Sequence, residues 1–222
     1  MRFDYLIFDL DGTLVDTTPA LAVALGETLA GLGRRAVSVD AIARITGHGL
    51  RALLRSAILM TGGPIGDREL GDAVATFRTA YERVLLDCAI PAEGACAFVH
   101  RATAAGARVA VLTNKPTASS IALLAHLGYG EVLDYVVGGD LDVPRKPDPG
   151  GVFALLEHWK TQPERALLIG SSRVDLKAGR NAEIQVALIC PFGARQRIFG
   201  LGADFTVDSF EQLEPLVLGA SK

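Results

Sequence analysis

The first residues with the chemistry of a reaction centre are Asp9 and Asp11, two carboxylates one residue apart near the start of the chain. They follow the apolar segment Tyr5-Leu6-Ile7, which is typical of a buried β-strand. Open α/β sheets carry their reactive groups in loops beyond the carboxyl ends of such strands. Gly12 permits a turn there, so that both carboxylates can serve one site. The pair could supply a nucleophile and a general acid and base, and a solvated Asp-Gly turn is the alternative.

Two more candidate groups follow later apolar segments. Thr113 and Asn114 come directly after residues 107–112 and precede a predicted helix, where free backbone N–H groups and side-chain donors bind anions. They could instead simply cap that helix. Lys146 precedes Pro147, and the proline keeps the lysine backbone out of the helical region, so that the ammonium group can be aimed. An ordinary solvated loop has the same composition.

The composition excludes several classes of partner. The chain has 222 residues, 50% of them hydrophobic, which is ample for a buried core. Its net charge of -3 offers no electrostatic footprint for nucleic acid or an anionic membrane. No apolar run approaches the ~18 residues that span a bilayer, so we expect a soluble, cytoplasmic protein. We also expect a monomer or homodimer. Its three cysteines lack Cys-x-x-Cys spacing, which favours reduced thiols over disulfides or zinc.

A block without strand patterns follows the first predicted strand. Between residues 16 and 88 the apolar residues recur at three- and four-residue steps, as on the buried face of a helix. The spacing predicts one helix that has Pro19 in its first turn and ends near residue 32. Further helices are predicted at 39–45, 50–60 and 67–86. We therefore predict a helical domain at 16–88, inserted into a core domain made of 1–15 and 89–222.

The core domain alternates strands and helices. Strands are predicted at 107–112, 135–137, 166–169 and 186–189, helices at 117–127, 150–159 and 174–181, and a short strand with a closing helix in 205–218. This alternation predicts an α/β fold, a Rossmann-like, doubly wound parallel sheet covered on both faces.

The motifs at the predicted strand ends resemble those of the haloacid dehalogenase superfamily of phosphatases. The sequence Asp9-Leu10-Asp11-Gly12-Thr13-Leu14-Val15 resembles the first motif, Thr113 the phosphate-binding hydroxyl of the second, and Lys146-Pro147-Asp148-Pro149 the third. The resemblance implies that Asp9 is the nucleophile and becomes an aspartyl phosphate, and that Asp11 is the general acid and base. Lys146 would then neutralise charge at the phosphoryl group.

The fourth motif departs from the family pattern. Its usual form has an aspartate directly after a glycine and a second one four residues later, but this chain has Ser171 at the first position and Asp175 at the second. The resemblance implies Mg²⁺ held by Asp9, the backbone carbonyl of Asp11, and Asp175. A neutral hydroxyl at Ser171 removes one negative charge from the cation, so we expect weaker metal binding. Asp175 could alternatively serve only in a helix-capping pair with Ser172.

The helical insertion resembles the cap of the phosphoglycolate phosphatases. The similarity lies in Ile45-Thr46-Gly47-His48-Gly49-Leu50-Arg51, together with Leu112-Thr113-Asn114-Lys115-Pro116. It implies a small phosphorylated metabolite as substrate, with 2-phosphoglycolate favoured, and a cap that sets specificity. We assign substrate binding to the following residues: Gly12, Asn114, Gly47, His48 and Arg51. His48 and Arg51 are equally well explained as ordinary exposed residues.

Three other functions remain open at this stage. A sugar-phosphate mutase on the same fold would also keep both aspartates. A dehalogenase needs only the nucleophile, so Asp11 argues against it. A binding or regulatory protein that has lost turnover is supported by Ser171 and opposed by Asp9, Asp11, Thr113 and Lys146. Magnesium-dependent hydrolysis of a generic aryl phosphate separates the last possibility from a phosphatase.

Overall fold

The computed structural model describes residues 2–46, 49–193 and 198–219. The chain divides into two compact units, the first made of Met1–Asp16 and Pro91–Lys222 and the second of Thr17–Ile90. The helical insertion predicted at 16–88 differs from the second unit by one residue at its start and by two at its end.

A parallel sheet forms the first unit. Its strands are β1 (Tyr5–Phe8), β4 (Arg108–Leu112), β5 (Tyr135–Val137), β6 (Ala166–Gly170), β7 (Gln185–Ile189) and β8 (Phe205–Val207). Two further strands, β2 (Val15–Asp16) and β3 (Ile90–Pro91), pair with each other. The sheet order is β5-β4-β1-β6-β7-β8, and every neighbouring pair runs parallel. The predicted α/β class is therefore confirmed.

The position of β1 is at the point where the strand order reverses, because the chain adds strands first on one side of β1 and then on the other. On one side β1 pairs with β4, so that Phe8 lies opposite Val111, and on the other it pairs with β6, so that Phe8 lies opposite Ile169. Later strands are added outward from both neighbours. Ligands of open α/β sheets bind outside the carboxyl ends of the strands at such a switch point. The loops after β1, β4 and β6 carry the first, second and fourth predicted motifs and meet there, and the segment after β5, the edge strand beside β4, carries Lys146 of the third.

Hydrophobic burial explains why β1 holds this position. Leu6, Ile7 and Phe8 are fully buried, as a strand covered on both faces requires. Phe8 packs against Phe98 and Phe210, with ring centroids 6.2 and 6.4 Å away. These contacts anchor the strand whose end carries the aspartates.

The helices of the first unit include one that the sequence analysis did not predict. They are α5 (Ala95–Ala104), α6 (Thr117–His126), α7 (Gly150–Trp159), α8 (Arg173–Asn181) and α9 (Phe210–Leu218), with a 3₁₀ turn at Pro163–Arg165. The missed helix is α5. Its buried residues are Ala95, Phe98, Val99 and Ala102, which is helical spacing, although two of the four are small alanines and give a weak hydrophobic signal.

The second unit contains the predicted helices. Its described helices are α1 (Thr18–Gly31), α2 (Val39–Ile45), α3 (Leu50–Gly62) and α4 (Asp67–Cys88). Ser38 caps α2 by accepting a hydrogen bond from the Ala41 N–H. Arg34 donates to the carbonyl oxygens of Ile58 and Gly63, which ties the end of α3 to the segment after α1. Over residues 2–46, 49–193 and 198–219, no helix has the length and apolar character of a membrane span.

Candidate active site

The loop after β1 holds Asp9 and Asp11 in a tight turn. The Asp9 N–H donates to the Ile169 carbonyl at 2.8 Å, so Asp9 still belongs to the ladder with β6. The chain then turns at Gly12, whose φ of 81° lies in the left-handed region, and the Gly12 N–H donates to the Val15 carbonyl at 2.7 Å. The predicted turn is confirmed. Asp9 is thus fixed by the sheet and Asp11 by the turn.

Lys146 forms salt bridges with both Asp9, the candidate nucleophile, and Asp175 of the fourth motif. Its ammonium nitrogen lies 2.7 Å from Asp9 Oδ1 and 2.6 Å from Asp175 Oδ1. Side chains of Lys146 and Asp175 are 3% and 1% exposed, so this ion pair is shielded from water. A buried charge needs such partners, because its desolvation otherwise costs several kcal/mol.

Burial and charge together shift the acid–base properties of this cluster. Burial, followed by the negative charge of Asp175, raises the pKa of Asp9 to about 7, against the lowering effect of Lys146. Burial lowers the pKa of Lys146, but the charges of Asp175 and Asp9 outweigh it, and the net shift is upward. Lys146 therefore stays cationic, and Asp9 takes up a proton more readily than an ordinary aspartate.

Asp175 is held from both ends of its carboxylate. Oδ1 accepts from Lys146, and Oδ2 accepts from Ser172 Oγ at 2.6 Å and from the N–H groups of Ser172 and Ser171 at 3.0 and 3.2 Å. Ser172 and Asp175 form the capping box of α8, as the alternative interpretation of Asp175 predicted. Gly170 makes room for this arrangement, since a Cβ there would lie 2.4 Å from Asp175 Cγ. Asp175 thereby sets the position of Lys146, and direct metal ligation by Asp175 stays a prediction.

Thr113 and Asn114 connect the loop after β4 to the other parts of the site. Thr113 continues the ladder to β5 through its N–H and the Val137 carbonyl, and its Oγ1 accepts from the Lys115 N–H at 3.2 Å. The amide nitrogen of Asn114 donates to the Lys146 carbonyl at 3.0 Å. Asn114 therefore supports the lysine loop, and its predicted contact with substrate stays a prediction.

Lys115 is a buried site residue to which the sequence analysis assigned no role. Its side chain is 5% exposed, and its ammonium nitrogen lies 3.4 Å from Asp11 Oδ1. The signal was present in the sequence, because Lys115-Pro116 repeats the Lys-Pro pattern that singled out Lys146-Pro147. What the sequence could not show is that this lysine turns inward.

Asp140 is a second residue that the sequence analysis missed. It accepts from the Thr117 N–H at 2.7 Å and from Thr117 Oγ1 at 2.6 Å, at the start of α6. These hydrogen bonds lower the pKa of Asp140. A carboxylate of the protein itself, that of Asp140, therefore occupies the N–H group of Thr117 at this helix start.

Two glycines let the loop after β5 pack against this segment. A Cβ on Gly138 would lie 2.5 Å from the Thr117 nitrogen, and one on Gly139 would lie 2.3 Å from the Asn114 carbonyl oxygen. The Gly139 N–H donates to the Lys115 carbonyl at 2.9 Å. The backbone that carries Thr113, Asn114 and Lys115 is therefore clamped.

Gly138→Ala is expected to destabilise the protein by about 1–3 kcal/mol, because the new methyl group meets backbone atoms that have no room to move. Gly71→Ala in α4 is the matched control. Nothing lies within 4 Å of its Cβ, so the exposed helix should gain about 0.5–1 kcal/mol. Thermal unfolding of the two variants checks this, and equal melting temperatures would contradict the close approach.

The oxygen donors near Asp9 fit a hard divalent cation, with one carboxylate fewer than the family pattern. Within the described ranges, no group of three His, Cys, Asp or Glu residues could hold a metal. Ser171 borders the site, because a Cβ on Gly12 would lie 2.9 Å from Ser171 Oγ. Mg²⁺ keeps several waters and takes one or two protein carboxylates beside substrate phosphates, so the oxygen atoms of Asp9, Asp11 and Ser171 are of the type that such a cation binds.

The residues predicted in the helical unit are only partly described. Gly47 and His48 lie outside the described residues. Arg51 lies in the first turn of α3 and is exposed, and Gly49 precedes this helix with a φ of 88°. Their roles in substrate binding stay predictions.

Comparison with known proteins places the chain in a family. The model of the haloacid dehalogenase-like hydrolases matches residues 3–183. Phosphoglycolate phosphatase of Rhodospirillum rubrum is 35% identical over 94% of this chain and 88% of its own length, and that of Colwellia psychrerythraea is 31% identical over 95% of both. The crystal structure of a predicted phosphoglycolate phosphatase from Haemophilus somnus covers 97% of this chain and 98% of its own, with a TM-score of 0.89 at 23% identity, which supports the fold.

The chain belongs to the haloacid dehalogenase-like hydrolases. Within that family it is a phosphatase, a phosphoric monoester hydrolase, as its relatives of nearly equal length are. Phosphatases of this family generally use a divalent metal, and they act on small phosphorylated compounds.

Proposed function

We propose that the protein is a Mg²⁺-dependent phosphatase that hydrolyses a small phosphate monoester, 2-phosphoglycolate first among them, through an aspartyl phosphate on Asp9. The observation that carries the proposal is the buried cluster of Asp9, Lys146 and Asp175 beside Asp11. Relatives named phosphoglycolate phosphatase that match nearly the whole chain support the choice of substrate.

The first half-reaction would transfer the phosphoryl group to the protein. Asp9 attacks phosphorus in line, its carboxylate oxygen forms the new P–O bond, and the bond to the leaving oxygen breaks. Asp11 gives that leaving oxygen its proton. Lys146 and the Thr113 hydroxyl, whose oxygen accepts from the Lys115 N–H, would bind the transferring oxygens.

The second half-reaction would return Asp9 to its carboxylate form. Asp11, now deprotonated, takes a proton from water, the water oxygen attacks phosphorus, and the aspartyl oxygen leaves. Bound Mg²⁺ would offset the repulsion between an anionic nucleophile and an anionic substrate. Asp9, the Asp11 carbonyl and Asp175, the ligands that the resemblance implies, would hold it, with the neutral hydroxyl of Ser171 where the family pattern has a carboxylate.

A panel of phosphate monoesters, assayed with Mg²⁺ and with chelator, tests the proposal. We expect turnover only with the metal, and the highest kcat/KM for 2-phosphoglycolate. Metal-independent turnover would refute the role of Mg²⁺. Transfer of phosphate between glucose phosphate and its bisphosphate, without net hydrolysis, would identify a mutase instead.

Ser171 favours one other candidate, a protein that binds phosphorylated ligands without turnover. This chain has Ser171 where the family pattern has the carboxylate next to the metal. Binding of 2-phosphoglycolate without release of phosphate at saturating Mg²⁺ would support that candidate. We also expect a cytoplasmic protein, as a monomer or homodimer.

Arg51→Ala is expected to lower kcat/KM for 2-phosphoglycolate about tenfold, or ~1.4 kcal/mol, relative to glycerol phosphate. We propose that this exposed cation contributes to selection of the substrate carboxylate. Arg78→Ala, at an exposed position of α4, is the matched control and should change neither value. Equal losses with both substrates in Arg51→Ala would exclude carboxylate recognition by Arg51.

A further inference from the structure

The Lys115 side chain is almost completely buried, which is unusual for a lysine. A lysine side chain that is 5% exposed is rare, because removing an ammonium group from water costs several kcal/mol unless it is paired. The ion pair that the structure shows is with Asp11 at 3.4 Å, and the carboxylate of Asp11 is 28% exposed. The buried cation therefore faces a carboxylate that still reaches solvent.

Two hydrogen bonds hold the backbone of Lys115. Its N–H donates to Thr113 Oγ1, and its carbonyl accepts from the Gly139 N–H. The close approach of Gly138 and Gly139 to this segment adds a steric clamp. A side chain that starts from a fixed backbone can hold its partner in a fixed orientation.

Three consecutive residues thus serve different parts of the site. Thr113 offers its hydroxyl, Asn114 holds the Lys146 loop through a carbonyl, and Lys115 reaches the carboxylate of Asp11. The loop after β4 is therefore a shared support for both the charge-neutralising lysine and the acid and base.

We infer that Lys115 is a positioning residue for proton transfer by Asp11. This inference rests on the proposed function. With Oδ1 directed at the ammonium group, rotation of the carboxyl group about its Cβ–Cγ bond is restricted, and Oδ2 exchanges the proton with the leaving oxygen and later with water. Lys115 itself does not touch the reacting atoms.

Substrates with poor leaving groups should depend most on the position of Asp11. Glycolate leaves as a poor alkoxide and needs a proton, whereas 4-nitrophenolate is stable as an anion and does not. Proton transfer from a positioned acid contributes about 10²–10⁴-fold. Loss of that positioning should therefore act on the alkyl phosphate and spare the formation of aspartyl phosphate from the aryl phosphate.

The experiment compares Lys115→Met, Lys115→Arg and the parent with 2-phosphoglycolate and 4-nitrophenyl phosphate at saturating Mg²⁺. For Lys115→Met we expect kcat/KM to fall by about 10²-fold with 2-phosphoglycolate and by less than about tenfold with the aryl phosphate. Because water attack also needs Asp11, the aryl phosphate should give a burst of nitrophenolate followed by slow turnover. Lys177→Met, at an exposed position of α8, is the control and should match the parent.

Lys115→Arg keeps a cation but moves its charge, so it should show a smaller loss in the same direction. It decides the question if Lys115→Met does not fold. Equal losses with both substrates, or no burst, would overturn the positioning role and point to a structural one. A parent that hydrolyses neither substrate would refute the proposed function, and the inference with it.

Discussion

Asp9→Asn is expected to abolish hydrolysis of every phosphate monoester, with kcat lowered by roughly 10³-fold or more. The amide has nearly the shape of the carboxylate but lacks the charged oxygen that attacks phosphorus. Lys146 keeps its contact with Asp175 at 2.6 Å, so the buried cation remains paired. Single-turnover assays with an aryl phosphate, which needs no acid catalysis, measure the nucleophilic step directly. Residual turnover above a few per cent of the parent would exclude Asp9 as the nucleophile.

Thermal unfolding in chelator provides the control for folding. Because the pKa of Asp9 rises from 3.8 to about 7 in the folded protein, folding binds a proton between these pH values. The parent should therefore lose stability from this group as pH rises from about 4 to about 7, and no further above that. Asp9→Asn lacks this loss. We expect its melting temperature to exceed that of the parent by more at pH 8 than at pH 4.5, and a variant less stable than the parent at pH 8 would contradict this charge balance.

Ser171→Asp is expected to lower the Mg²⁺ concentration for half-maximal activity tenfold or more, which is at least ~1.4 kcal/mol. Ser171 lies at the end of β6 against Gly12, where the family pattern has a carboxylate. The carboxylate of Asp175 accepts hydrogen bonds from Lys146 and Ser172, which reduces the negative charge that it would offer to a bound cation. A second carboxylate restores that charge.

The same substitution should destabilise the protein when no metal is bound, because the new carboxylate lies near Asp9 and Asp175. Ser209→Asp is the matched control. It adds one carboxylate at the N-cap of α9, a position that tolerates aspartate. Metal titrations of activity and melting curves in chelator test both effects. An unchanged metal midpoint would mean that Ser171 does not contribute to the metal site.

The sequence by itself determined which residues could react and which predicted strands they follow. Apolar segments of strand length at 5–7, 107–112 and 166–169 predicted β1, β4 and β6, since burial on both faces leaves a continuous apolar run. Asp9, Lys146 and Asp175 follow from residue type and motif spacing. The turn at Gly12 was also predictable, because glycine adopts a positive φ without steric cost.

Only the tertiary structure decided how these residues are paired. Strand order brings the segments that follow β1, β5 and β6 to one edge of the sheet, and only then do Lys146 and Asp175, 29 residues apart in sequence, form a buried ion pair. Lys115 lies in a segment with the composition of a loop, and only the folded structure shows that its side chain lies against Asp11. Local sequence patterns report the conformation and burial of a segment. Charge pairing depends on contacts between segments that are distant in sequence, so it becomes visible only when the sheet is assembled.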